Sequence, residues 1–216
     1  MKIGILGTGE VGQALGRGFA ALRHEVKMGS RSATNAKALA WAKRTGPPAS
    51  VGTFAAAAAF GEIVVLATLG VANESVLQAA GPEKLRGKIV IDATNPLDFS
   101  RGVPPTLAIA GHDSGGEQVQ RLLPGAQVVK AFNTVGHAHM FRPDFPDGPP
   151  DMFLCGDDAT AKEKVGELLQ NFGWGVVDIG GIDGSRYLEA MCLVWVRYAF
   201  STPAPTWNHA FRLLKK

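Results

Sequence analysis

Cysteine is nearly missing. The 216 residues hold two, Cys155 and Cys192, each set among apolar neighbours. A chain of this length buries a core without covalent staples, so both are expected to be buried free thiols and neither a disulfide nor a metal site. Long apolar runs are missing as well. The longest, Met191 to Phe200, is too short for a bilayer and carries Arg197, so no membrane partner is expected. No charged leader, apolar segment and small-residue cleavage site precede the first strand-like run, and the reading is a cytoplasmic protein. Charge of one sign is scarce: 22 Lys+Arg stand against 19 Asp+Glu, a net +3 with no basic run. That balance excludes a nucleic-acid-binding arm and suits a small anionic ligand.

What is present is alternation. Lys2 to Gly7 reads as a buried strand, and Glu10 to Leu22 as a helix with Val11, Leu15, Phe19 and Leu22 on one stripe. A short strand at 24–28 and a helix from Ala33 to Arg44 follow, stopped by Gly46-Pro47-Pro48. Further strands are expected near 50–52 and at 62–68, 88–92, 126–131, 152–155 and 175–179. Helices are expected over 55–59, 73–80, 114–123 and 159–172. Residues 137–150 hold four prolines and read as a surface loop. This order predicts a Rossmann-type, doubly wound α/β fold with a mostly parallel sheet covered on both faces. Two last helices, Ser185 to Phe200 and about Thr206 to Leu214, break the alternation. The division expected is a nucleotide-binding part over 1–183 and a C-terminal helical part over 184–216.

The first strand runs into Gly7-Thr8-Gly9-Glu10-Val11-Gly12. Glycine is common in this chain, but here the pattern closes a strand and opens a helix, as a dinucleotide site requires. Gly7 allows the tight turn, Gly9 lets backbone approach a pyrophosphate, and Gly12 lets the helix pack on the strand. The helix's first N–H groups then face the anion. The second strand ends Met28-Gly29-Ser30-Arg31-Ser32, without the carboxylate that would bind a ribose hydroxyl. Arg31 can clasp a 2′-phosphate, Ser30 can donate to it and Lys37 adds charge, so the coenzyme expected is NADP(H).

Later strand ends should line the nicotinamide: Thr68 and Leu69, then Asn95 and Pro96, then Ala131 and Asn133. No carboxylate pair, histidine–carboxylate dyad or metal cluster is expected to converge there. Hydride transfer by stacked rings needs none, so no catalytic acid or base and no metal ligand is assigned. GTGEVG, GSR, DATNP and KAFNTVG together resemble the coenzyme F420:NADP oxidoreductases over nearly the whole chain. The resemblance implies hydride exchange between NADPH and a deazaflavin, coenzyme F420. It also implies a homodimer and an acceptor cleft between the Rossmann part and the C-terminal helices. It carries the diphosphate turn to Gly7, Thr8, Gly9, Glu10 and Val11, the 2′-phosphate contacts to Ser30 and Arg31, and nicotinamide neighbours to Thr68, Leu69 and Ala131. A flavin is the other acceptor considered. An NADPH-dependent reductase of an imine, carbonyl or ferric chelate, and a non-catalytic NADP(H) sensor, stay open.

Two decoys are set aside, and a third feature keeps two readings. His112-Asp113-Ser114-Gly115-Gly116 contains a protease-like DSGG, but the fold class is wrong for one, and Ser114 reads as a helix cap with Glu117 three residues on. His137 and His139 are two apart and lack a third ligand, so they read as rim residues. Trp195, Tyr198, Phe200 and Trp207 are read either as packing or as a stacking surface for an acceptor ring.

Overall fold

The computed structural model describes residues 1–201 and 204–216. Ten strands and seven α-helices lie in the described part. The first half comprises β1 (Lys2–Leu6), α1 (Glu10–Ala21), β2 (Glu25–Ser30), α2 (Ala36–Thr45), β3 (Ala49–Thr53), α3 (Phe54–Phe60), β4 (Ile63–Leu66), α4 (Asn73–Ala80) and β5 (Ile89–Asp92). A two-stranded hairpin follows, β6 (Leu97–Asp98) and β7 (Thr106–Leu107). Then come α5 (Gly115–Leu122), β8 (Gln127–Lys130), β9 (Asp151–Gly156), α6 (Ala159–Asn171), β10 (Gly175–Asp178) and α7 (Ser185–Ala199).

The main sheet has eight strands in the order β10-β9-β8-β5-β4-β1-β2-β3. From β1 the chain winds outward to β2 and β3, then returns to β4 on the other side. That reversal is where α/β sheets of this type hold ligands. Every pairing is parallel except β8 with β9. The exception follows from the connection. Residues 131–150 contain no α-helix, only a 3-10 turn at His137–His139, and antiparallel neighbours need no helical crossover.

Side chains alternate across each strand, so the sheet splits the core in two. Ile3, Ile5, Val26 and Val65 pack under α1, α2 and α6 with Trp41 and Phe172. Leu6, Val64, Leu66 and Val90 face α3, α4 and α5. A small third cluster ties Cys192, Trp195 and Val196 of α7 to Leu97, Phe200 and Phe211. Among the described residues no helix is long and apolar enough to cross a membrane.

Four expectations need correction. The helix expected over Thr206 to Leu214 is absent; that stretch is an irregular strap whose backbone is claimed from outside. The Trp195 indole donates to the His209 carbonyl (2.9 Å), the Asp151 N–H to the Phe211 carbonyl (2.9 Å), and the Leu213 N–H to the Asp151 carboxylate (2.7 Å). The helix expected from Ala33 starts at Ala36, because the Asn35 side chain accepts the Ala38 N–H (3.1 Å) and caps it. The 97–107 hairpin was not expected at all; its strands are two residues each, too short for a periodic signal. Ser114 does cap α5 by accepting the Glu117 N–H (3.2 Å). The Glu117 carboxylate, however, turns to the Ser114 hydroxyl and Arg186 instead of the cap's backbone.

Candidate functional site

β1 delivers the chain to Gly7 at the sheet's reversal point. Gly7 has φ +135°, and a Cβ there would stand 2.2 Å from the Ala67 carbonyl oxygen, so only glycine fits. A Cβ on Gly12 would stand 2.5 Å from the Gly7 carbonyl oxygen, which is how α1 comes so close to the turn. Gly9 is different: a Cβ would meet nothing within 4 Å, and the residue caps α1 with no side-chain bond to the first turn. Thr8 is half-buried, Glu10 exposed, and Val11 half-buried. Gln13 locks the turn from behind. Its amide donates to the Thr8 carbonyl (3.0 Å), its side-chain oxygen accepts from Arg44 (3.0 Å), and its backbone carbonyl accepts from Trp41 (3.1 Å).

At the end of β2, Ser30 is buried. Its hydroxyl donates to the Ser32 carbonyl (2.5 Å) and accepts the Ser32 N–H (3.2 Å), so it shapes the loop. That loop presents Arg31, which is exposed and forms no ion pair among the described residues, with Lys37 exposed on the first turn of α2.

Beyond the turn lies a cavity of about 630 Å³. Of the predicted residues it gathers Val11, Asn95 and Asn133. From the C-terminal side it takes Trp195, Val196 and Trp207. Asn95 and Asn133 form an amide pair: Asn95 Nδ2 donates to the Asn133 carbonyl (2.8 Å), and Asn133 Nδ2 donates to Asn95 Oδ1 (2.9 Å) and the Leu188 carbonyl (2.9 Å). The Asn133 Oδ1 atom is buried without a partner. Phe132, at φ +65°, turns the backbone sharply just before it. Thr68, Leu69 and Pro96 stand outside the lining of this cavity, and Ala131 is fully buried in the core behind it. Trp195 stacks on Trp207 (5.1 Å between centroids) and on His209 (4.7 Å), so these rings serve both as packing and as a wall. His137 lies on the rim side of the lining. Burial pushes the Cys192 thiol up to about 12, so it stays neutral there.

Charge converges where none was expected. Lys130, Asp92 and Glu189 meet at the strand ends, all fully buried. The Lys130 ammonium reaches Asp92 Oδ2 (2.8 Å), Glu189 Oε1 (2.9 Å) and the Thr94 carbonyl (2.8 Å). Burial alone would lower its pKa, but the two carboxylates outweigh that and hold it above the ordinary lysine value. Two signals pointed here. Asp92 and Lys130 are directly paired in the β5–β8 register, and Glu189 interrupts the apolar stripe of α7.

The residues fit a dinucleotide with a 2′-phosphate: an open Gly9, a guanidinium free to pair, and an orphaned amide oxygen on a residue that lines the same cavity as Val11. Residues 2–96 match the family described as NADP oxidoreductase coenzyme F420-dependent. The F420-dependent NADP reductase of Methanocaldococcus jannaschii is 33% identical over 201 residues, covering 88% of this chain and 89% of that protein. The chain belongs to the coenzyme F420-dependent NADP oxidoreductase family. It is thus an NADP-dependent oxidoreductase by family. A crystal structure of a candidate F420-dependent NADP reductase from Arthrobacter sp. FB24 superposes with TM-score 0.93 at 41% identity, each chain covered in full. Metalloreductase STEAP3 of Rattus norvegicus is 28% identical over 193 residues; the match spans 89% of this chain but 36% of that protein.

Proposed function

We propose that the chain passes hydride between NADPH and a deazaflavin, coenzyme F420, or a closely similar flavin-like ring. One observation carries the reading: Val11, on the helix that opens from the glycine turn, and Trp195 and Trp207, from the C-terminal side, line the same space. When bound, the coenzyme supplies the hydride at C4 of its nicotinamide. The chain's residues bind and orient. The first turn of α1 offers uncapped N–H groups to a diphosphate beside Gly9. Arg31 forks onto the 2′-phosphate. Asn133 Oδ1 accepts an N–H such as that of a carboxamide, which relieves a buried orphan. Trp195 and Trp207 present flat faces to a planar acceptor. The match to a named F420-dependent NADP reductase across most of both chains supports this acceptor over a ferric chelate, since the metalloreductase match covers 36% of that protein.

The partner we propose is a second copy of the chain. Tyr187, Val194 and Tyr198 stand along one face of α7, each more than half exposed, and an apolar helical stripe of this kind suits two-fold self-pairing.

The test is a side-by-side assay of NADPH with coenzyme F420, FMN, ferric citrate and pyrroline carboxylate. The expected order places coenzyme F420 first in kcat/KM. A clear preference for the chelate or the imine overturns the acceptor, and NADPH binding with no turnover of any acceptor overturns the enzymatic reading in favour of a sensor.

A further inference from the structure

The buried charges at the strand ends touch neither the glycine turn nor the cavity, yet they connect the cavity's two walls. Lys130 has three donors, and each has an acceptor: Asp92, Glu189 and the Thr94 carbonyl. Asp92 Oδ1 accepts the Thr94 N–H (2.9 Å) and hydroxyl (2.7 Å). The Thr94 hydroxyl accepts from Asn73 (2.8 Å), whose side-chain oxygen accepts from Thr68 (3.2 Å). This side of the network holds the loop that carries Asn95 and Leu97 into the cavity wall.

The other side holds α7. Glu189 accepts the Gly115 N–H (3.0 Å) and the Gly116 N–H (3.1 Å) at the start of α5. Two carboxylates against one ammonium leave a net buried negative charge, and the positive end of α5 answers it. Close approach is built in: a Cβ on Gly116 would stand 2.1 Å from the Ser185 hydroxyl. One residue before Glu189, the Leu188 carbonyl is gripped by Asn133. The next residues on that helix face are Cys192, Trp195 and Val196, all in the cavity lining. Trp195 lies six residues on, about 9 Å along the axis, so a tilt at the anchor is carried straight to the stacking wall.

We propose that Glu189 is a positioning residue: through Lys130 and Asp92 it fixes α7 against the Thr94–Asn95 loop and so sets how closely an acceptor ring approaches the nicotinamide side. The acceptor's part in this rests on the function proposed above; the anchoring of α7 does not.

The test uses the full chain as Glu189→Gln, which keeps the shape and removes the charge, and Glu189→Asp, which keeps the charge and shortens the reach. Amide hydrogen exchange is read without any acceptor. Expected is faster exchange over 188–200 in Glu189→Gln, with β1 and α1 unchanged. In turnover, the acceptor kcat/KM falls roughly ten- to a hundredfold, as a displacement near 1 Å implies, while the KM for NADPH stays within about twofold. Glu189→Asp recovers part of the loss. Unchanged exchange over α7, or equal losses for NADPH and acceptor, overturns the proposal. Should Glu189→Gln fail to fold, Glu189→Asp against wild type decides on the same readouts. A wild-type chain that reduces no acceptor sinks the proposed function alone, and the anchor is then judged by exchange.

Discussion

Arg31→Ala is the perturbation whose consequence follows most simply from the geometry. Arg31 is exposed at the tip of the β2 loop and forms no ion pair among the described residues, so removing it breaks no ion pair inside the protein. The loop itself is held by Ser30 and Ser32, which do not involve the guanidinium. Stability should therefore move by less than about 0.5 kcal/mol, the usual range for such surface changes. A charge-assisted fork onto a phosphate is worth roughly 1.5–3 kcal/mol, and solvent exposure places this one in the lower half. A loss of about 1.5–2.2 kcal/mol is a rise of roughly 10- to 40-fold in the KM for NADPH. NADH lacks the 2′-phosphate, so its KM should stay within about twofold. Steady-state kinetics with both coenzymes, alongside a thermal melt, reads all three numbers. Arg31→Lys should fall between, since it keeps the charge and loses the fork. Equal losses with NADPH and NADH, or none with either, refute Arg31 as the selector.

The two open questions about the glycine turn separate cleanly. Gly7→Ala places a Cβ against the Ala67 carbonyl at positive φ and should cost roughly 2–5 kcal/mol, seen as a lower denaturant midpoint. Gly9→Ala meets nothing within 4 Å, so the fold should hold while calorimetric titration shows weaker NADPH binding. Val194→Glu on the exposed face of α7 should halve the mass measured by light scattering while circular dichroism shows the chain still folded. Alkaline stability should also fall. Burial raises Cys155 to about 11 and Cys192 to about 12, above the usual 9.0, so above that pH the unfolded chain loses thiol protons that the folded chain keeps. Each thiol then removes up to about 1.4 kcal/mol per pH unit, and Cys155→Ala with Cys192→Ala should flatten the slope above pH 9.0.

Much of this was legible because local rules and tertiary structure agree. The strand–turn–helix at Gly7 to Gly12 reads from glycine spacing and apolar periodicity alone. β4 and β5 read from β-branched runs buried on both faces. The strap at 204–216 misled because Trp207, Phe211 and Leu214 fall at helical spacing, while the bonds that hold the segment come from Trp195 and Asp151, distant in sequence. The Lys130–Asp92–Glu189 cluster was missed for a related reason. Each residue alone looks like a solvated charge, and only the adjacency of β5 and β8, with α7 folded back over them, brings the three together. The Ser30 hydroxyl also bonds the Ser32 carbonyl and N–H, a local turn that residue spacing alone does not reveal.

The most direct measurement follows the hydride itself. NADPH carrying deuterium at both C4 positions is mixed with the protein and oxidised coenzyme F420 in a single turnover, and the reduced acceptor is weighed by mass spectrometry. The account predicts that the deuterium arrives on the deazaflavin carbon ring, one label per NADPH consumed, and that Trp195→Ala slows its arrival without releasing the coenzyme. NADPH bound tightly beside Gly9 with no label in the deazaflavin would contradict it.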